Sequence, residues 1–339
     1  MEILWQNIIG HKENIERLRR LAVSGRIPHA LLFCGREGTG KRLVAQAFAA
    51  ALLCPSGENG AACGRCASCR ALLDGQGGHP DFFLLEPEQR GKSQRIIRIE
   101  AVRAMETELS RRPVLSARRV AIIDGAELMN EQAANCLLKT LEEPPENVVF
   151  ILIAASRRSL LPTVVSRCTP VIFGSLSPEE TAEVLMKKGL DAVRAQELAA
   201  LADGSCSRAE ELAAGGENHG REALDFLAGL DSLSPEALFQ EGDRLAARER
   251  DGFAGWLRSL RLVLRDLTVL AGGGSGIFNL ALGSELRPMA AKMMLSRLFR
   301  MDRLAAEYEK RVLQSNASIK LQAPAFLLRM QETRNTEED

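Results

Sequence analysis

One eight-residue stretch, Gly35-Arg36-Glu37-Gly38-Thr39-Gly40-Lys41-Arg42, constrains this chain more than any other. It follows the apolar run His29-Ala30-Leu31-Leu32-Phe33-Cys34, which reads as a buried strand. It opens the Ala/Leu-rich segment from Lys41 to Leu53, which reads as a helix. A glycine-rich turn in that setting aims backbone N–H groups inward around phosphate oxygens. The helix N-terminus adds partial positive charge, and the lysine reaches the outer phosphates. The full pattern G-x-x-x-x-G-K-[ST] ends on a hydroxyl that ligates Mg²⁺. Here Arg42 stands in its place. The stretch therefore reads as a degenerate phosphate loop, with Gly35, Gly38, Thr39, Gly40, Lys41 and Arg42 as candidate nucleotide-binding residues. The substitution puts ATP or ADP occupancy in question. The bland alternative is a glycine turn that holds no nucleotide.

Asp124 closes the run Ala121-Ile122-Ile123 at a strand end. Such folds use an acid there to hold Mg²⁺. A hydrolytic version carries Glu next, to polarise the attacking water, but Gly125 follows here. Glu127 lies three residues on and is expected to point elsewhere if a helix begins. Taken alone, Asp124 reads as a helix cap.

Further strands are read at Asp81 to Leu85, Arg119 to Asp124, Asn147 to Ala155 and Val171 to Phe173. Helical spacing covers Ile99 to Arg111 and Asn130 to Glu142, the latter stopping before Pro144-Pro145. Strands alternating with helices predict an α/β domain with a parallel sheet covered on both faces. At Ser177-Pro178-Glu179-Glu180 a cap, a first-turn proline and a capping-box glutamate open a helix. Beyond it almost no strand pattern remains. Helical segments are separated by Asp203-Gly204-Ser205, Gly215-Gly216 and the glycine run at 272–276, with a further start at Ser234-Pro235-Glu236. The expected domains are 1–175 (α/β), 176–215 (a small helical lid) and 220–333 (a larger helical domain), with a polar tail at 334–339.

Cys54, Cys63, Cys66 and Cys69 are spaced C-x8-C-x2-C-x2-C. Four thiolates can surround Zn²⁺ tetrahedrally, and two-residue gaps let neighbouring cysteines turn onto one ion. A closed set of four leaves no open position, so the zinc is expected to be structural. An iron–sulfur cluster is the rival metal reading. Cys34, Cys136 and Cys206 fall in strand or helix segments and read as small core residues.

Composition narrows the function. Lys+Arg and Asp+Glu are 44 each, so the net charge is zero. A chain living on non-specific nucleic-acid binding is expected to be basic. Aromatics make up only 4%, which argues against base-stacking platforms. A local basic run, Arg90, Lys92, Arg95 and Arg98, reads as a solvated face, with DNA contact as the sharper alternative. The longest apolar run, Val148 to Ala155, is far below the roughly 18 residues a membrane helix needs. The N-terminus has no basic n-region, so a cytoplasmic location is expected.

These features together resemble the bacterial clamp-loader AAA+ subunits of DNA polymerase III. The likeness rests on Ile9-Gly10-His11, Gly25-Arg26-Ile27-Pro28-His29-Ala30, the degenerate phosphate loop and the cysteine module directly after its helix. It also rests on Leu137-Leu138-Lys139-Thr140-Leu141-Glu142-Glu143-Pro144-Pro145, Ser166-Arg167-Cys168 and Asn316-Ala317-Ser318-Ile319-Lys320-Leu321. Within that family the ATPase (tau/gamma) type should have Thr or Ser at 42 and Asp-Glu at 124–125. At Gly204-Ser205-Cys206-Ser207-Arg208-Ala209, Ser207 replaces its sensor arginine. These departures favour the delta-prime type.

The resemblance implies a pentameric loader of tau/gamma and delta subunits that opens the ring-shaped sliding clamp and sets it on primed DNA. The chain would be a non-hydrolysing stator in it. Its helical C-terminal domain would join the collar. Arg167, which by its residue context alone reads as a surface salt bridge, would act in trans on ATP held by a neighbour. It is expected at the sheet's carboxyl edge. Two rival readings remain: an active ATPase that depends on Lys41, and a zinc module that reads nucleic acid directly.

Overall fold

A computed structural model describes residues 4–73, 78–88, 95–202, 204–279, 282–314 and 318–335. The chain divides into two compact units, Met1–Glu210 and Glu211–Asp339.

The first unit is built on β1 (Ala30–Cys34), β2 (Phe82–Leu85), β3 (Arg119–Asp124), β4 (Val148–Ala154) and β5 (Thr169–Ile172). They form one sheet in the order β2-β3-β4-β1-β5, and every pairing is parallel. The helices are α1 (Lys12–Ser24), α2 (Lys41–Leu53), α3 (Ala67–Leu73), α4 (Ile99–Leu109), α5 (Glu131–Glu142), α6 (Pro162–Val165), α7 (Pro178–Lys187) and α8 (Ala192–Ala202). Alternate strand residues serve two separate cores. Leu32, Ile123, Phe150 and Leu152 pack with α4 and α5, while Leu31, Phe33, Ile122 and Ile151 pack with α1 and α2. Burial on both faces explains why the strands are continuous apolar runs and not alternating ones.

Most elements fall where the sequence puts them. Asn130 caps α5 by accepting from the Ala133 N–H, and Ser177 and Glu180 form a complete capping box on α7. Two elements differ. β5 begins two residues before the expected Val171, because Pro170 does not interrupt it. β5 is an edge strand, so the missing proline N–H removes no ladder bond. α9 (Cys206–Gly229) runs through Gly215-Gly216, which read as a separator. A helix tolerates interior glycine at about 1 kcal/mol each relative to Ala. The sequence reading also has no counterpart for α1.

The second unit holds the rest of α9 with α10 (Pro235–Ala246), α11 (Glu249–Ala271), α12 (Gly283–Ala290), α13 (Leu295–Gln314) and α14 (Ile319–Asn335). Its core centres on Trp256, with Phe253, Phe326 and Tyr308 around it. No described helix is long and apolar enough to cross a membrane. Arg90, Lys92, Asp203, Asn316, Ala317 and residues 336–339 lie outside the described residues, while Arg334 and Asn335, expected in the polar tail, close α14.

Candidate functional site

The loop between β1 and α2 turns through two left-handed glycines, Gly38 (φ 76°) and Gly40 (φ 90°). Its backbone carbonyls can be followed one by one. Lys41 Nζ donates to the carbonyls of Gly35 and Arg36, each at 2.6 Å. The Ser205 hydroxyl donates to the Glu37 carbonyl at 2.9 Å, and the Cys206 N–H to that of Gly38 at 2.8 Å. His11 Nε2 meets the Thr39 carbonyl at 2.6 Å, so that nitrogen carries the proton. The Gly40 carbonyl takes the Val44 N–H of α2. Each carbonyl from Gly35 to Gly40 is thus held by this chain's own donors. The Ser205 contact is close enough that a Cβ on Gly38 would stand 2.2 Å from the Ser205 hydroxyl.

Lys41 is buried, which pushes its ammonium below the ordinary value, against the pull of Glu127, Asp124 and Glu37. Arg42 turns to acids. Its Nη1 donates to the Glu86 carboxylate and lies 3.5 Å from Asp124 Oδ2. Burial pushes the Asp124 carboxyl up, and the Arg42 charge beside it pulls the other way. Where a Mg²⁺ site of this type brings a hydroxyl and an acid together, this chain brings a guanidinium and two carboxylates. Glu127 does not point away as expected. It sits in a short 3₁₀ turn, accepts the Ala155 N–H at 2.8 Å past the end of β4, and its charge reaches Lys41.

The four cysteine sulfurs lie within 4.8 Å of one another. Cys54 and Cys66 are 3.8 Å apart, and Cys63 and Cys69 are 3.9 Å apart. Four sulfurs each 2.3 Å from a central ion stand roughly 3.8 Å apart in a tetrahedron. The N–H groups of Cys63, Cys66 and Cys69 each donate to the preceding cysteine's sulfur at 3.4 Å. Backbone N–H groups of Arg65 and Cys66 pull the Cys63 thiol down to about 6, while burial pushes Cys69 up. Four thiolates together need a cation, and the set fits a tetrahedral thiolate metal. The remaining cysteines lie outside this cluster. Cys34 and Cys168 are buried, with Cys168 pushed up to about 12 by burial, whereas Cys136 and Cys206 are only half-buried.

A buried brace ties the cysteine module to the sheet. The Asp81 N–H donates to His79 Nδ1 at 3.0 Å, so the neutral ring carries its proton on Nε2 and gives it to the Ser68 hydroxyl at 2.8 Å. Ser68, on α3, donates onward to the Leu53 carbonyl at the end of α2. Burial pushes the His79 imidazole below its ordinary value. The Asp81 carboxylate accepts the N–H groups of Val114, Leu115 and Ser116.

Arg167 corrects the sequence expectation. It precedes β5, and Thr169 pairs in parallel with Leu31 near the start of β1, so Arg167 lies at the amino edge of the sheet. The phosphate loop leaves the opposite, carboxyl edge after Cys34. A five-residue strand of about 15 Å separates the two edges. Arg167 therefore cannot serve its own loop. Its partners are Glu142, Thr163 and Ser166.

Sequence reasoning missed His11, Glu86, Glu142 and Ser205 as partners of these sites. His11, Glu142 and Ser205 lie in stretches that carry the family resemblance, but the sequence does not show that they meet these sites, because each comes from a distant part of the chain.

A protein-family model described as "DNA polymerase III, delta subunit" matches residues 10–177. The delta' subunit of DNA polymerase III from Pseudomonas aeruginosa is 40% identical over 188 residues, which are 54% of this chain and 55% of that protein. The delta' subunit from Bacillus subtilis is 32% identical over 200 residues, 59% of this chain and 58% of that protein. The tau/gamma subunit of Haemophilus influenzae is 33% identical over 162 residues, 48% of this chain but 22% of its own length. The chain thus spans little more than half of the delta' relatives it matches.

Proposed function

We propose that this chain, whose residues 10–177 match the DNA polymerase III delta-subunit family model and whose relatives include delta' proteins, is the delta' stator of a clamp loader. It assembles with tau/gamma and delta subunits, and the assembly sets a sliding clamp on primed DNA in the cytoplasm. It does not hydrolyse ATP itself.

The observation that carries this reading is the Arg42 ion pair with Glu86 and Asp124. A covalently attached cation takes the acid that would otherwise hold Mg²⁺, and no glutamate follows Asp124 to polarise water. The loop also needs no nucleotide to hold its shape, because Ser205, Cys206 and His11 pin its carbonyls. Residues 204–207, where an ATPase would place a sensor, grip the loop directly. That suits a rigid subunit better than a motor.

Arg167 supports a role in trans. It stands on the far edge of the sheet from its own loop, so any phosphate it meets belongs to another molecule. A guanidinium presented this way stabilises charge on a transferring phosphoryl group. The cysteine module holds a structural Zn²⁺ through Cys54, Cys63, Cys66 and Cys69, with no ligand position left for substrate. Helices α10–α14 supply the collar contact, and residues 176–215 act as a lid.

The test is steady-state ATP hydrolysis by tau/gamma and delta subunits with clamp and primed DNA, adding this protein as wild type, Arg167→Ala or Lys41→Ala. Entry of each variant into the complex is checked. Arg167→Ala depresses the rate and Lys41→Ala leaves it intact. Hydrolysis by the isolated chain, abolished by Lys41→Ala, would sink the stator reading.

A further inference from the structure

Arg167 is not left to swing freely from the sheet edge. Its Nη2 donates to Glu142 Oε1 at 2.5 Å. Its Nη1 donates to the Thr163 carbonyl at 2.9 Å and to the Ser166 hydroxyl at 3.3 Å. The guanidinium is therefore held from two sides, by the last residue of α5 and by the carbonyl end of α6. Pro144-Pro145 stop α5 just beyond Glu142, which fixes where that carboxylate stands.

The side chains of Arg167 and Glu142 are 34% and 49% exposed. An ion pair this open to water adds little to stability. Its other effect is on rotamer freedom, since arginine has many rotamers to lose when it is immobilised on a partner. A guanidinium has five N–H donors. These three contacts leave donors for a phosphate on a neighbouring molecule.

We propose that Glu142 is a positioning residue for Arg167, fixing the guanidinium in place before the neighbour's nucleotide arrives. This rests on the trans-acting reading of Arg167. Glu142 touches no nucleotide itself. It removes an ordering cost from the transition state.

The experiment uses the reconstituted loader with tau/gamma, delta, clamp and primed DNA, and measures kcat and KM for ATP. The variants are Glu142→Ala, Glu142→Gln, Arg167→Ala and the double variant Arg167→Ala with Glu142→Ala. Thermal unfolding of each isolated variant serves as the folding control. Glu142→Ala is expected to lower kcat roughly three- to tenfold, the cost of immobilising one rotamer-rich side chain, with KM unchanged. Glu142→Gln keeps an acceptor oxygen and recovers most of the rate. The double variant is no slower than Arg167→Ala alone. If Arg167→Ala depresses turnover while Glu142→Ala leaves it equal or raises it, the positioning role is wrong and the trans arginine stands. If Arg167→Ala has no effect, the parent reading falls as well.

Discussion

The glycine-rich loop before α2 and the cysteine module sit one helix apart in sequence and hold their shapes by different means. The module brings its four cysteine sulfurs within 4.8 Å of one another, two pairs of them at 3.8 and 3.9 Å, a set that could hold a metal ion. The loop keeps its glycines and Lys41 but has Arg42 where the metal-binding hydroxyl would be. The difference lies in what holds each shape. Four clustered thiols repel one another once ionised, so keeping them together as thiolates calls for a cation. The loop's turn is held by hydrogen bonds from Lys41, Ser205, Cys206 and His11, so its form does not rest on a bound ion.

The largest effect should come from removing one thiolate. Cys69→Ser is expected to strip the metal and cost roughly 3–5 kcal/mol, read by metal analysis and urea unfolding of the full chain. A variant that stays fully stable without metal would put the module in the same state as the loop and erase the contrast.

Arg42→Thr probes the other side. It frees Asp124 and Glu86 and restores the metal hydroxyl. Calorimetric titration should show Mg²⁺-dependent ATP affinity improved about tenfold, or 1.4 kcal/mol, still without turnover because Gly125 is unchanged. Equal affinity with and without Mg²⁺ would mean that Arg42 is not what displaces the ion.

A smaller effect is expected from Ser205→Ala. It leaves the Glu37 carbonyl without its donor and costs about 1 kcal/mol in denaturant unfolding. Amide exchange at Gly38 and Thr39 should quicken. Unchanged exchange would show that the loop holds itself without the 204–207 segment.

The smallest concerns His79. Burial depresses its pKa in the folded chain, so the unfolded chain binds the extra proton first as pH falls below about 6.5. Its contribution to stability therefore declines as pH falls through that value and levels off below the folded pKa. His79→Gln should flatten the slope between pH 7 and 5, and a slope that survives the substitution assigns the acid sensitivity to another group.

Much of the first unit was legible in the chain. β3 matches its expected span, α2 begins and ends as read, and the capping box at Ser177 is formed. The misses share a cause. The last strand reads as starting at Val171 until its pairing with β1 is seen to begin at Thr169. Gly215-Gly216 reads as a break until α9 is seen to continue through it. Arg167 was expected at the carboxyl edge, and only the parallel pairing of β5 with β1 puts it at the other.

The sequence by itself determined the alternation of strands and helices, the phosphate-loop turn, the four clustered thiols and the helix caps. Each depends on residues a few positions apart, whose backbone and side-chain preferences act locally. The tertiary structure alone decided that Arg42 faces Glu86 and Asp124, that Ser205 closes on Glu37, and that Arg167 meets Glu142 across the sheet from its own loop. These pairs join segments 25 to 168 residues apart. Their meeting follows from strand order and burial on both sheet faces, which no local spacing encodes.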